Sequence, residues 1–187
     1  MLELFSRAGS VGKVAKEMGY TVISLDRNMT ASIQIDIMNW DYTDFKPKLF
    51  DVVWAGPPCR DIETSNELVK RTLDILEYFQ PKYWIIENPQ TGPLKDQPFM
   101  TGIPYNDIDY CKYGMPYKRR SRLWNNIDLW TPRPLCFRNC GAMHGTKPRY
   151  IQESDLYMVP PELIEEILLS CDSEADNASD VEGDVIM

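Results

Sequence analysis

The chain has no uninterrupted apolar run near the roughly 20 residues a membrane span requires, and no N-terminal basic stretch followed by an apolar one. Neither a membrane span nor a secretory leader is expected. The five cysteines, Cys59, Cys111, Cys136, Cys140 and Cys171, are odd in number and irregular in spacing, which argues against a disulfide framework and for a reducing intracellular compartment. The loop after the first strand lacks the Gly-Lys-Ser/Thr ending of a nucleoside triphosphate loop and has Arg7 where a tight turn would favour Gly, which argues against phosphate binding there. There is no internal repeat, and His144 is the only histidine.

What is present suits one globular domain: 187 residues, 43% apolar and 26% charged, long enough for a single core. The net charge of −8 is unevenly spread. Residues 172–187 hold six acids and no Lys or Arg, leaving the rest at −2. The expected organisation is therefore a catalytic domain over 1–171 and an acidic, disordered tail over 172–187. Between Lys112 and Arg149, nine Lys or Arg face one acid, Asp128. A solvated loop region would explain such a run, but so would a phosphate-contacting face.

Leu2-Glu3-Leu4-Phe5 predicts a buried strand that enters a tight loop over Ser6–Ser10, and Val11, Val14, Ala15 and Met18 recur at helical spacing. Further strands are predicted at Thr21–Leu25, Ser32–Ile35, Phe50–Ala55 and Tyr83–Ile86. Leu68, Thr72, Ile75, Leu76 and Phe79 line one face of a helix that ends at Pro81. Ile108–Tyr110 and Leu123-Trp124 are weaker, late strands, and Pro161–Leu169 is a short amphipathic helix. The alternation implies an α/β fold with a mostly parallel sheet, whose ligands sit beyond the carboxyl ends of the strands.

Every polar motif falls at such an end. The loop after the first strand opens a helix, where backbone amides favour a carboxylate. Asp26 ends the second strand, where a ribose diol would donate to it, and Asp36 follows the third. Both would also serve as ordinary turn or cap residues. Pro57-Pro58 rigidifies the exit of the next strand and presents Cys59. An isolated cysteine is ordinarily structural and inert. Here Glu87 ends the adjacent strand, with burial under Trp84 and Pro89 expected. A thiol beside an acid is what attack on carbon 6 of a pyrimidine needs. Cys136-x3-Cys140-x3-His144 offers three zinc donors with Cys111 a distant fourth, but the spacing is irregular; a loop of free thiols, and no metal, is expected.

These motifs resemble the cytosine-5 DNA methyltransferase family, particularly its small viral and phage-type members, over nearly the whole chain. Leu4-Phe5-Ser6-Arg7-Ala8-Gly9 resembles the cofactor loop, Pro57-Pro58-Cys59 the nucleophile motif, Glu87-Asn88 the acidic motif, Lys118-Arg119-Arg120-Ser121-Arg122 the basic motif and Val159-Pro160-Pro161-Glu162 the closing motif. The resemblance implies a Rossmann-like, class I S-adenosylmethionine-dependent fold with little or no target-recognition domain. It implies Cys59 as nucleophile, Glu87 as acid, and Arg120 and Arg122 holding the cytosine. Phe5 would stack near the adenine, Gly9 face the methionine part, Asp26 the ribose and Asp36 the adenine amine. Ser6, Ser10, Ile37 and Pro57 would complete the cofactor set. The substrate would be a cytosine flipped out of DNA, or of a structured RNA in a variant of the same chemistry. The setting would be intracellular, the host cytoplasm or nucleus for a viral protein. Methyltransferases of exocyclic amines carry Asp or Asn ahead of Pro-Pro and an aromatic after it, whereas this chain has Gly56 and Cys59.

Two departures matter. Arg7 stands where the family loop has Gly, which demands an unusual backbone or a clash with the cofactor. Only residues 60–65 separate Cys59 from the helical stripe, where the family has a longer mobile loop. That leaves two readings open, a true deletion or a mobile stretch missing from the chain as read. The region from Trp124 to Val159 is short for target recognition, so specificity is expected to be low or supplied by a protein partner. A degenerate, non-catalytic binding module is the alternative to an active enzyme.

Overall fold

The computed structural model describes residues 1–28, 30–59, 61–144 and 158–183. Seven strands form one sheet: β1 (Leu2–Leu4), β2 (Ile23–Asp26), β3 (Ile33–Gln34), β4 (Val52–Ala55), β5 (Tyr83–Pro89), β6 (Tyr105–Asp109) and β7 (Arg120–Asn125). Their order is β3-β2-β1-β4-β5-β7-β6. The first five run parallel, while β7 is antiparallel to both β5 and β6. The expected parallel sheet is present, with an antiparallel hairpin added at one edge. The chain builds outward from β1 to β3 and then crosses to β4 on the other side of β1. That reversal opens a crevice beyond the carboxyl ends of β1 and β4.

The strands bury both faces, as central parallel strands must. Leu2, Leu4, Val53, Ala55, Ile86 and Trp124 face helix α2 (Ile62–Phe79), while Val52, Trp54, Tyr83, Ile85 and Leu123 face helices α1 (Ser10–Glu17) and α3 (Pro161–Gly183). α2 begins well before its apolar stripe because Asp61 caps it, accepting from the Thr64 amide at 2.8 Å. It ends at Gln80, in the left-handed region at φ 46°, just before Pro81.

α3 runs on past residue 171 into the acidic segment, as far as Gly183. Leu168 and Cys171 carry its buried stripe up to residue 171. Beyond it, Asp172 accepts from the Tyr20 hydroxyl at 2.5 Å and Glu174 from the Leu129 amide at 2.6 Å. No helix among the described residues is long and apolar enough to cross a membrane.

Candidate active site

The loop after β1 is tightly wound. Phe5, Arg7 and Gly9 all adopt left-handed backbone, at φ 60°, 47° and 68°. Arg7 thus takes the unusual backbone its position demands, at a cost of about 1–3 kcal/mol. Asp26 holds it there, accepting from the Arg7 amide at 2.9 Å and the Asn28 amide at 3.0 Å. Gly9 donates to the Ser6 carbonyl at 2.6 Å and serves the turn; unlike Phe5, Ser6 and Ser10 it does not line the cavity beside the loop.

That cavity, about 920 Å³, is also lined by Asp26, Asp36, Ile37, Pro57, Cys59 and Glu87. Asp36 caps a short 3-10 turn through the Met38 amide at 3.0 Å and pairs with Arg27 at 2.6 Å. Val159 of the closing motif and the preceding Met158 line the cavity too, and the Val159 amide reaches the Ser10 hydroxyl at 3.4 Å.

Glu3, which sequence reasoning passed over as a strand residue, lines the same cavity and is only 3% exposed. Its Oε2 has no hydrogen-bond partner among the described residues. Burial pushes its pKa from 4.5 up to about 7, against the opposing pull of the Gly12 and Val11 amides. Gly12 leaves room for this carboxyl, since a Cβ there would lie 2.5 Å from Glu3 Oε2 and displace it. The amides at the start of α1 therefore already face an acid of the chain itself.

Cys59 stands on a fixed pedestal. The Pro57 carbonyl accepts from Asn88 Nδ2 at 2.9 Å and the Pro58 carbonyl from the Ser65 hydroxyl at 2.9 Å, so β5 and α2 each hold one proline. Burial raises the thiol's pKa above its ordinary range; Glu87 adds to the rise and Arg119 opposes it. Gly92 was not anticipated either. A Cβ there would lie 2.8 Å from Cys59 Sγ and 3.0 Å from the Pro89 carbonyl, so this turn leaves the thiol room only because residue 92 has no side chain.

Glu87 is buried, but not beneath Trp84. Strand alternation turns Trp84 to the α2 face, and Glu87 instead lies against Arg119 and Tyr110. Arg119 donates to the two Glu87 oxygens at 3.1 and 3.5 Å, and its guanidinium lies 4.9 Å from the Tyr110 ring centroid.

Arg120 and Arg122, expected to hold the base, are each engaged by an aspartate away from the cavity. Arg120 forms a two-pronged pair with Asp109 at 3.0 and 2.7 Å, Arg122 one with Asp107 at 2.7 and 2.9 Å, and neither lines the cavity. Arg119 does. The reason is alternation: Arg119 shares parity with Ser121 and Leu123, while Arg120 and Arg122 share it with Trp124 on the opposite face. The basic stretch is largely committed within the fold. Among the described residues, Lys118, Arg119, Arg120, Arg122 and Arg133 each pair with an acid from elsewhere in the chain. Arg60, Lys147, Arg149 and much of the short region before Val159 lie outside the described residues.

No family model matches the chain. It is 33% identical, over 215 aligned positions covering 91% of this chain and 99% of the relative, to the "Probable DNA (cytosine-5)-methyltransferase" of Frog virus 3. That alignment is longer than the 187-residue chain, so the relative carries residues absent here. Among solved structures, a prophage-encoded protein of E. coli described as a DNA modification methyltransferase superposes with a TM-score of 0.54 at 18% identity, over 66% of this chain. The Dnmt2 methyltransferase of S. pombe reaches 0.47 at 18% identity over 65%. The chain spans less than half the length of those two structures, 45% and 47%.

Proposed function

The chain belongs to the DNA (cytosine-5)-methyltransferase family, and on that premise we propose that it methylates carbon 5 of cytosine in DNA through a covalent Cys59 adduct. The observation that carries this reading is the opening of Cys59, Glu87 and Arg119 onto the same cavity as the loop after β1. A thiol, a buried acid with a guanidinium and a cofactor-sized hollow are the parts the reaction requires.

The lining fits S-adenosylmethionine, with Phe5 and Ile37 as apolar walls, Asp26 and Asp36 as acceptors, and the orphaned carboxyl of Glu3 alongside. Ser6, Ser10 and Pro57 complete the residues that would hold it. The cofactor supplies an electrophilic methyl group on a sulfonium. The chain's own residues do the rest. A cytosine must leave the duplex, because carbon 6 is unreachable in the stack. Cys59 loses its proton and the thiolate adds to carbon 6, while Glu87 holds a proton at ring nitrogen 3 and so gives carbon 5 enamine character. Arg119, fixed by Tyr110, orients the Glu87 carboxyl and acts as a positioning residue. Once carbon 5 is methylated, loss of its proton drives expulsion of the Cys59 thiolate and restores the ring.

Only Arg60 and the capping Asp61 intervene between Cys59 and α2, and the Frog virus 3 relative has residues without a counterpart in this chain. Residues 126–144 form no helix and no named strand, which supports low sequence specificity or specificity borrowed from a partner.

The test is transfer of a tritiated methyl group to cytosine-containing DNA and to RNA of the same sequence, with Cys59→Ala as control. Labelled DNA that requires Cys59 supports the proposal. Preferential labelling of RNA replaces the substrate, and no labelling together with no cofactor binding by calorimetry leaves the degenerate binding module.

A further inference from the structure

We propose that Cys111, Cys136, Cys140 and His144 bind one zinc ion as a closed structural centre. This site is separate from the catalytic cavity and does not depend on the methyltransferase reading. It reverses the expectation of a loop of free thiols without metal. The spacing hid it because Cys111 is 25 residues ahead of Cys136.

The fold closes that distance. Cys111 lies in the single 3-10 turn, Tyr110–Lys112, that follows β6, and the other three donors lie on the irregular segment after β7. All four donor atoms lie within 4.8 Å of one another. Cys136 Sγ is 3.3 Å from Cys140 Sγ and 3.6 Å from His144 Nε2, and Cys140 Sγ is 3.1 Å from that nitrogen. A tetrahedral ion with bonds of about 2.3 Å to sulfur and about 2.0 Å to nitrogen needs donor separations of roughly 3.5–3.8 Å. The two sulfurs stand well beyond the disulfide bond length of about 2.05 Å. Three thiols and an imidazole meeting in a largely buried place, Cys111 and Cys136 being 8% and 4% exposed, otherwise lack a reason to converge.

A second observation is His144 Nδ1, buried and without a partner among the described residues. With the proton on Nδ1, Nε2 turns its lone pair to the sulfurs. The surroundings also suit the charge. Three thiolates and zinc carry a net −1; the Lys118 ammonium donates to the Cys136 carbonyl at 3.3 Å, and Asp109, paired with Arg120, accepts from the Cys136 amide at 2.9 Å. Four protein ligands leave no open position, which marks a structural site, and soft thiolates select zinc over hard cations. The ion would brace the loop whose Met143 exchanges backbone hydrogen bonds with Pro116 and Lys118 at 3.0 Å, immediately before Arg119.

Metal analysis of the purified full chain by mass spectrometry, with cobalt(II) substitution, tests this. The expected result is one zinc per chain, the visible bands of tetrahedral cobalt with a thiolate charge-transfer band, and loss of both in Cys111→Ser and Cys140→Ser but not in Cys59→Ser. If the ligand variants do not fold, the unaltered chain still decides, because a thiol-blocking mercurial must release its zinc. Absence of stoichiometric zinc, an octahedral cobalt spectrum, a Cys136–Cys140 disulfide in metal-free protein, or unchanged metal binding in Cys111→Ser would overturn the proposal.

Discussion

Arg119 crosses from the start of β7 to Glu87 on β5, donating to its carboxylate oxygens at 3.1 and 3.5 Å while lying against the Tyr110 ring. This pair, rather than Arg120 or Arg122, joins the basic motif to the acidic one. Arg119→Gln is expected to lower methyl transfer about 100-fold, the scale of losing one preorganised charge-stabilising donor. Arg122→Gln, which loses the Asp107 pair and the stacking on Tyr105 but no group that lines the cavity, is expected to leave transfer within a few-fold. Steady-state kinetics on both variants, with melting curves to correct for lost folding, checks the contrast.

Gly92 limits the space around the Cys59 thiol. Gly92→Ala sets a Cβ 2.8 Å from Cys59 Sγ and near a backbone carbonyl that cannot yield. Transfer and Cys59 alkylation are both expected to fall about 10-fold or more, with stability lowered by about 1–3 kcal/mol. Parallel alkylation and denaturation measurements separate the two effects.

The Cys59 thiol should report on its two charged neighbours. Its pKa is raised, so alkylation by iodoacetamide is expected to accelerate only above the ordinary thiol range. Arg119 favours the thiolate, so Arg119→Gln shifts the alkylation profile to higher pH; Glu87 disfavours it, so Glu87→Gln shifts it to lower pH. Alkylation rates across pH, read by mass spectrometry of the Cys59 peptide, give both signs.

Glu3 makes stability depend on pH. Its folded pKa, about 7, lies above the ordinary 4.5, so the folded state holds the proton more tightly than the unfolded one. The sign follows: stability falls as pH rises between about 4.5 and about 7, by up to about 3 kcal/mol. Glu3→Gln should flatten this dependence. Urea denaturation at pH 5 and pH 8 on both proteins checks it.

Much of this was legible in the chain. Strands at Val52–Ala55 and Tyr83–Pro89 announce themselves by apolar runs that stop at Pro57 and Pro89, so Cys59 and Glu87 could be assigned to one rim before any coordinates. What stayed hidden depends on facing and distance. Which arginine of the basic motif turns inward is fixed by the register of β7 on β5, which a run of four cations does not reveal. Gly92 matters only through what a Cβ would strike. Cys111 joins Cys136, Cys140 and His144 only because the β6–β7 hairpin folds back on itself. The short helix expected from Pro161 to Leu169 runs on to Gly183, beyond the apolar stripe that marks its start in the sequence.

The most direct test of the central claim is covalent trapping. DNA carrying 5-fluorocytosine, whose carbon 5 fluorine cannot leave as a proton would, is incubated with the protein and S-adenosylmethionine, and the product is digested for mass spectrometry. The expected result is a stable protein–DNA adduct on the Cys59 peptide that is absent from Cys59→Ala. An adduct on another residue, or no adduct from protein that binds both cofactor and DNA, would contradict Cys59 as the nucleophile.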